Sequence, residues 1–173
     1  FTSMLQEAGI KTQSGKRYTF VVKKLIEMED DGKKVGLYPS DTLKISYTIE
    51  FDHPLVKCQS YNISLTDSLF EKGISRPRTF GFLNGVNYLK QNGFARGGSL
   101  ENAVVLDEYK VLNDDGLRYP NEFVKHKMLD AIGDLYMCNH SILGEFRAYK
   151  TGHAMNNTLL RAMLADAESW EVV

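Results

Sequence analysis

Residues 122–137 read EFVKHKMLDAIGDLYM, and an apolar pattern at helical spacing runs through them: Val124, Met128, Leu129, Ala131, Ile132, Leu135 and Tyr136. Set into that pattern, His126, Asp130 and Asp134 follow one another at four-residue steps, which an α-helix stacks on a single face. At helical pitch these three and Lys127 share an arc of about 100°, and the apolar residues take the rest. A solvated helix face is usually broad and rich in Lys and Glu. So narrow a polar arc reads as one aimed at a cleft.

The apolar side of such a helix needs a partner layer, and the flanking sequence supplies one. After the helix, ILGEFRAYK places Leu143, Phe146, Ala148 and Tyr149 as a strand would. Residues 151–173 then read as a final helix with Met155, Leu159, Leu160, Met163 and Leu164 as its buried stripe. On the N-terminal side, Tyr18 to Met28 is an extended apolar run, EDDGKK a polar turn, VGLYP a further extended piece, and LKISYTIEF (43–51) an alternating strand. Pro54 ends that ladder because it has no N–H to donate. YNISL reads as a short strand, TDSLFEKG as one or two helical turns, PRTFGF as extended, GVNYLKQNG as helical, and AVVLD with YKVLN as a strand pair. The fold class read from this order is α+β, a two-layer sandwich of a mainly antiparallel sheet packed on helices, with a small β-α-β insertion.

A chain of 173 residues with 43% hydrophobic and 25% charged residues fits one globular domain. Its formal net charge of −1 gives no bulk attraction to nucleic acid or to an anionic membrane surface. No stretch approaches the roughly 20 apolar residues of a membrane span, and the start carries no basic region followed by an apolar run. Cys58 and Cys138 form neither a CxxC pair nor a disulfide framework, which favours a reducing, cytoplasmic setting. FTSMLQEAGI lacks an initiator Met and reads as the tail of an amphipathic helix stopped by Gly9, with Phe1, Met4, Leu5 and Ala8 on one side. Residues 1–16 are therefore expected to be the end of a preceding domain or linker helix, and 17–173 an α+β domain.

A His and an Asp at i and i+4 can point a ring nitrogen and a carboxylate oxygen at one cation, the geometry that HxxxH helices use for zinc. A catalytic zinc takes three protein ligands, so His126 and Asp130 are one short. The spacing leaves open the plainer arrangement of a histidine hydrogen-bonded to an aspartate. Lys127 stands where a cation would face a developing oxyanion, or is an ordinary surface lysine. Asp134 is placed to orient a histidine ring. His153, close to the start of the final helix, is a candidate for that ring, or a packing residue there. His53 in FDHP and His140 in CNHS read as turn and loop residues.

HKMLDAIGDLYM and FRAYKTGHAMNN, together with SRPRTFGF, NGFARGGSLENAVVLD and VLNDDGLRYPNEFVKHK, closely resemble the UDP-3-O-acyl-N-acetylglucosamine deacetylases, zinc enzymes of lipid A biosynthesis in Gram-negative bacteria. The resemblance runs over essentially the whole chain and implies the second, C-terminal, of two similar α+β domains. It implies a β-α-β insertion at about 61–105 that forms a passage for the substrate's acyl chain, with Leu83, Val86, Phe94 and Ala95 lining it. By the same resemblance His126 and Asp130 bind Zn2+, and a third, histidine ligand and the general-base glutamate lie in the first domain. Lys127 and Thr79 then stabilise the reacting centre, His153 protonates the departing amine or acts as an electrostatic partner, and Asp134 holds its ring. Glu50, Phe51 and Lys150 fall near the sugar nucleotide.

The implied reaction is hydrolysis of the N-acetyl amide of UDP-3-O-(3-hydroxyacyl)-N-acetylglucosamine, releasing acetate, by a protein that is monomeric when intact. Its implied partners are that UDP-linked acylated glucosamine and the N-terminal domain of the same protein. The alternative is a noncatalytic, isolated substrate-binding or interaction domain. The chain is expected to be inactive alone.

Overall fold

The computed structural model describes residues 2–173, apart from the side chains of Asn87 and Lys90. Helix α1 (Thr2–Ala8) buries none of its residues, and Gly9, at φ +84°, closes it with its N–H on Gln6 O at 3.1 Å. Met4 and Leu5 are exposed; Phe1, read on the same face, lies outside the described residues.

The main layer is a five-stranded sheet in the order β2-β3-β9-β4-β5, built from Ile26–Asp30 (β2), Lys33–Tyr38 (β3), Lys44–Glu50 (β4), Cys58–Ser64 (β5) and Glu145–Tyr149 (β9). β2 and β3 form a hairpin whose two-residue turn, Asp31-Gly32, has positive φ at both positions (47° and 68°), the geometry that matches strand twist. In β4 the alternation is literal: Ile45, Tyr47 and Ile49 are buried and Lys44 and Glu50 exposed. β9 pairs antiparallel with β3 and parallel with β4. A second, three-stranded sheet runs β10-β1-β8, from Thr19–Val22 (β1), Ser141–Leu143 (β8) and Trp170–Val172 (β10). Gly144, between β8 and β9, lets the chain pass from one sheet to the other, since a Cβ there would meet Val22 Cγ2 at 2.7 Å.

Two helices cover the inner face: α4 (Glu122–Tyr136) and α5 (His153–Ala165). Val124, Met128, Ala131 and Leu135 of α4 and Leu159, Leu160 and Met163 of α5 form one core with Val35, Leu37, Ile45, Tyr47, Ile49 and Phe146. Each such side chain contributes about 1.5–3 kcal/mol on leaving water. Between β5 and α4 lie the short helix α2 (Asp67–Leu69), a π-turn (Phe70–Ile74), and a β-α-β unit of β6 (Thr79–Phe82), α3 (Leu83–Gln91) and β7 (Ala103–Leu106), with β6 and β7 parallel. The two-layer α+β sandwich with its small insertion is thus present. Residues 61–64 complete β5 in the main sheet, so the β-α-β unit itself spans 79–106.

Three local readings are corrected. Tyr18 to Met28 is two strands in different sheets, because Lys23 and Lys24 turn their N–H groups to Ser169 O between them. The final helix stops at Ala165; Asp166 starts a turn closed by Ser169 N on its carbonyl, and Trp170–Val172 pairs with β1, leaving Leu164 exposed. YKVLN makes only an isolated bridge, Leu106 to Val111, since the Asn113 side chain takes up Val105 N and the carbonyls of Leu100 and Ala103.

Candidate active site

The polar arc of α4 faces the start of α5. His126, Lys127, Asp130 and Asp134 are each only 17–18% exposed at the side chain. Asp130 Oδ2 is their meeting point: Lys127 Nζ stands at 2.9 Å, His126 Nε2 at 3.5 Å and His153 Nε2 at 3.9 Å. His153 is the first residue of α5, and its Nδ1 lies 2.8 Å from Asp134 Oδ1. The pairing of Asp134 with His153, across two helices, is therefore made in the fold.

Packing holds the His126 ring. Phe80 of β6 stands edge-on to His126 at 6.1 Å and to Phe123 at 4.9 Å, and Phe51 stands edge-on to Phe80 and Phe82 at 5.6 and 5.8 Å. His126 Nδ1 is buried without a hydrogen-bond partner among the described residues. Burial pushes the imidazole below its ordinary pKa, against the pull of Asp130, so the ring is neutral near pH 7 and keeps a lone pair for a cation. Tetrahedral zinc bonded at about 2.0–2.1 Å holds neighbouring donors roughly 3.3–3.4 Å apart. The 3.5 Å between His126 Nε2 and Asp130 Oδ2 fits that edge. No group of three or more His, Cys, Asp or Glu side chains placed to hold a metal by themselves occurs among the described residues.

A buried ion pair fixes the insertion to α4. Glu122, fully buried, takes Arg78 Nε and Arg78 N on Oε1 at 3.0 and 2.9 Å and Arg118 N on Oε2 at 2.6 Å. Arg78 adds a two-oxygen contact to Asp115 at 3.1 Å and donates to Gly116 O at 2.6 Å. Burial alone would raise the Glu122 carboxyl, but the Arg78 guanidinium and the two backbone N–H groups hold it below its ordinary range. Arg78 immediately precedes Thr79, and Glu122 lies one turn before His126, so this pair registers Thr79 against helix α4.

Thr79, Val86 and Ala95 line a cavity of about 220 Å³ between β6, α3 and β7, walled also by Leu89 and Val105. Leu83 instead lines a neighbouring depression with His53 and Phe82, and Phe94 is exposed and lines neither. His53 takes Leu55 N on Nδ1 at 3.3 Å and stacks on Phe82, a turn residue that also braces the insertion. Lys150, in left-handed backbone at φ +57°, lines a depression of about 580 Å³ with Gly152, His153 and Lys33. Its Nζ is 3.9 Å from Glu50 Oε2, which also accepts from the Tyr149 hydroxyl.

Lys33 and Asn156 were not singled out from the sequence. Lys33 gave no signal, since it sits in a polar hairpin far along the chain from His153. Asn156 did give one: it is a lone amide in the apolar stripe of α5, three and four residues before Leu159 and Leu160. It is buried and donates to Asp134 Oδ2 at 2.9 Å.

The sequence profile of the family of UDP-3-O-acyl N-acetylglycosamine deacetylases (LpxC) matches residues 1–165. The chain belongs to this deacetylase family. Among relatives, it is 52% identical to the UDP-3-O-acyl-N-acetylglucosamine deacetylase of Idiomarina loihiensis over 175 residues and 53% identical to that of Shewanella violacea over 175. Against the deacetylase of the same name from Tolumonas auensis it is 54% identical over 176 residues. In each case the match covers 100% of this chain and 57% of the relative. The chain thus spans little more than half the length of these deacetylases. No helix among the described residues is long and apolar enough to cross a membrane.

Proposed function

We propose that this chain is the second, C-terminal part (17–173, with 1–16 as linker) of a zinc-dependent deacetylase acting on UDP-3-O-(3-hydroxyacyl)-N-acetylglucosamine, in lipid A biosynthesis in the cytoplasm. Taken by itself it is a noncatalytic substrate-binding module. The observation that carries this reading is the division of the cleft into two separate pairs. His126 and Asp130 present two donors at a zinc edge length, whereas His153 is tied to Asp134 2.8 Å away. A third protein ligand and a general base come from the rest of the protein.

Zinc, when bound, polarises the amide carbonyl and makes a water acidic enough to attack it at neutral pH. His126 and Asp130 hold it on this side of the cleft. Lys127 places its ammonium beside Asp130, in reach of negative charge developing on the carbonyl oxygen, and Thr79 offers a hydroxyl from the mouth of the insertion. An amide nitrogen leaves only if protonated, and His153 delivers that proton with its ring oriented by Asp134. Val86 and Ala95, with Leu83 and Phe94 nearby, take the acyl chain, while Glu50, Phe51 and Lys150 take the sugar nucleotide, Lys150 as a cation for the diphosphate.

The test is acetate release from the acylated UDP-sugar by this chain alone and by the same chain joined to the remainder that its relatives carry. The longer protein turns over and the chain alone does not. Turnover by the isolated chain would overturn the two-part site.

A further inference from the structure

We propose that Asn156 is a positioning residue for the proton donor: its side-chain amide, braced by Thr151 and Tyr47, holds the Asp134 carboxylate in the plane that His153 requires. The inference rests on the reading of Asp134 and His153 as the acid pair of the deacetylase.

Behind that pair runs a buried polar chain that nothing else in the mechanism uses. Asn156 is 1% exposed, and its backbone N–H and both polar atoms of its side chain are engaged. Its backbone N–H goes to Gly152 O at 3.0 Å, Oδ1 accepts from Thr151 Oγ1 at 3.0 Å, and Nδ2 donates to Asp134 Oδ2 at 2.9 Å. Thr151 is itself buried, with its carbonyl oxygen and its hydroxyl each 2.8 Å from the Tyr47 hydroxyl. A carbonyl oxygen only accepts, so Tyr47 is the donor to Thr151 O. Burial pushes the Tyr47 phenol up to about 12, so it keeps that hydrogen at any physiological pH.

The Asp134 carboxylate, which only accepts, fixes the Asn156 amide one way round. Turned over, the amide would set its oxygen against that carboxylate. The Asp134 carboxylate has no hydrogen-bond partners among the described residues other than His153 and Asn156. A carboxylate spins freely about its last torsion; Asn156 on Oδ2 at 2.9 Å, beside His153 Nδ1 at 2.8 Å from Oδ1 and 3.1 Å from Oδ2, stops it. A buried amide in the core stripe of α5 is costly unless paired, and its pairing is spent on this carboxylate.

The experiment is a double-mutant cycle in the full-length deacetylase, with Asn156→Leu made in the parent and in a His153→Ala background. Asn156→Leu is of similar size and has no donor; Asn156→Ser, too short to reach Asp134, serves if the leucine variant fails to fold. Expected is a fall in kcat of at least about tenfold in the parent, with KM changed less than about twofold. Zinc content stays as in the parent. In the His153→Ala background the further loss should be under about twofold, because the group being positioned is gone. A loss of the same size in both backgrounds, or none in the parent, overturns the proposal. Independently of turnover, the low-field proton resonance of His153 Nδ1–H should shift or broaden in either Asn156 variant. If the full-length protein proves not to be a deacetylase, the proposed function fails while that resonance still decides whether Asn156 positions the pair; an unchanged signal overturns it.

Discussion

His153 Nδ1 and Asp134 Oδ1 stand 2.8 Å apart, joining the first residue of one helix to the last polar step on the arc of another. The imidazole therefore presents Nε2 toward Asp130 and the cleft, with its other nitrogen occupied. On the proposed function, removing either partner should separate metal binding from proton delivery. In the full-length protein, His153→Ala should retain zinc while kcat falls by about 10²–10⁴-fold, as measured by metal analysis beside steady-state kinetics. Asp134→Asn should keep zinc as well and lose rate through a misoriented ring.

The Arg78–Glu122 pair predicts acid sensitivity. The Glu122 carboxyl is held below its unfolded value of 4.5, so its stabilisation is complete above that value and is lost as pH falls through the lower, folded value. Urea midpoints measured between pH 7 and pH 3 should fall more steeply in the parent than in Glu122→Gln. Glu122→Ala, which leaves a buried guanidinium with only Asp115 and the Gly116 carbonyl, should cost about 3–5 kcal/mol at neutral pH.

Lys150 adopts φ +57°, a region that costs an L-residue about 1–2 kcal/mol. Lys150→Gly should consequently leave thermal stability unchanged or raised by up to about 1 kcal/mol. KM for the UDP-sugar should rise, since the cation is lost. A fall in stability would show that the side chain, rather than the ligand, is what the strained backbone serves.

Leu159 is fully buried between α5 and the sheet. Leu159→Ala should cost about 2–5 kcal/mol in denaturant unfolding, through lost transfer energy and the cavity left behind.

Helix α4 and its polar arc were legible because helical periodicity is local: residues three and four apart must share a face whatever the tertiary fold. The alternation in β4 was legible for the same reason at period two. Beyond that reach the sequence falls silent. The break at Lys23–Leu25 and the strand Trp170–Val172 exist because the carbonyl of Ser169 and the edge of β1 find each other across the whole chain. The site divides along the same line. His126 and Asp130 share a helix and were visible as a pair, whereas Asp134 meets His153 and Asn156 only after α5 folds back on α4. Arg78 and Glu122 lie 44 residues apart, and no local pattern joins them.

The most direct test of the divided cleft is zinc stoichiometry in the full-length protein carrying His126→Ala or Asp130→Ala, measured together with acetate release. Both variants should lose the metal and nearly all turnover. Full zinc occupancy with parental turnover in either variant would contradict the account.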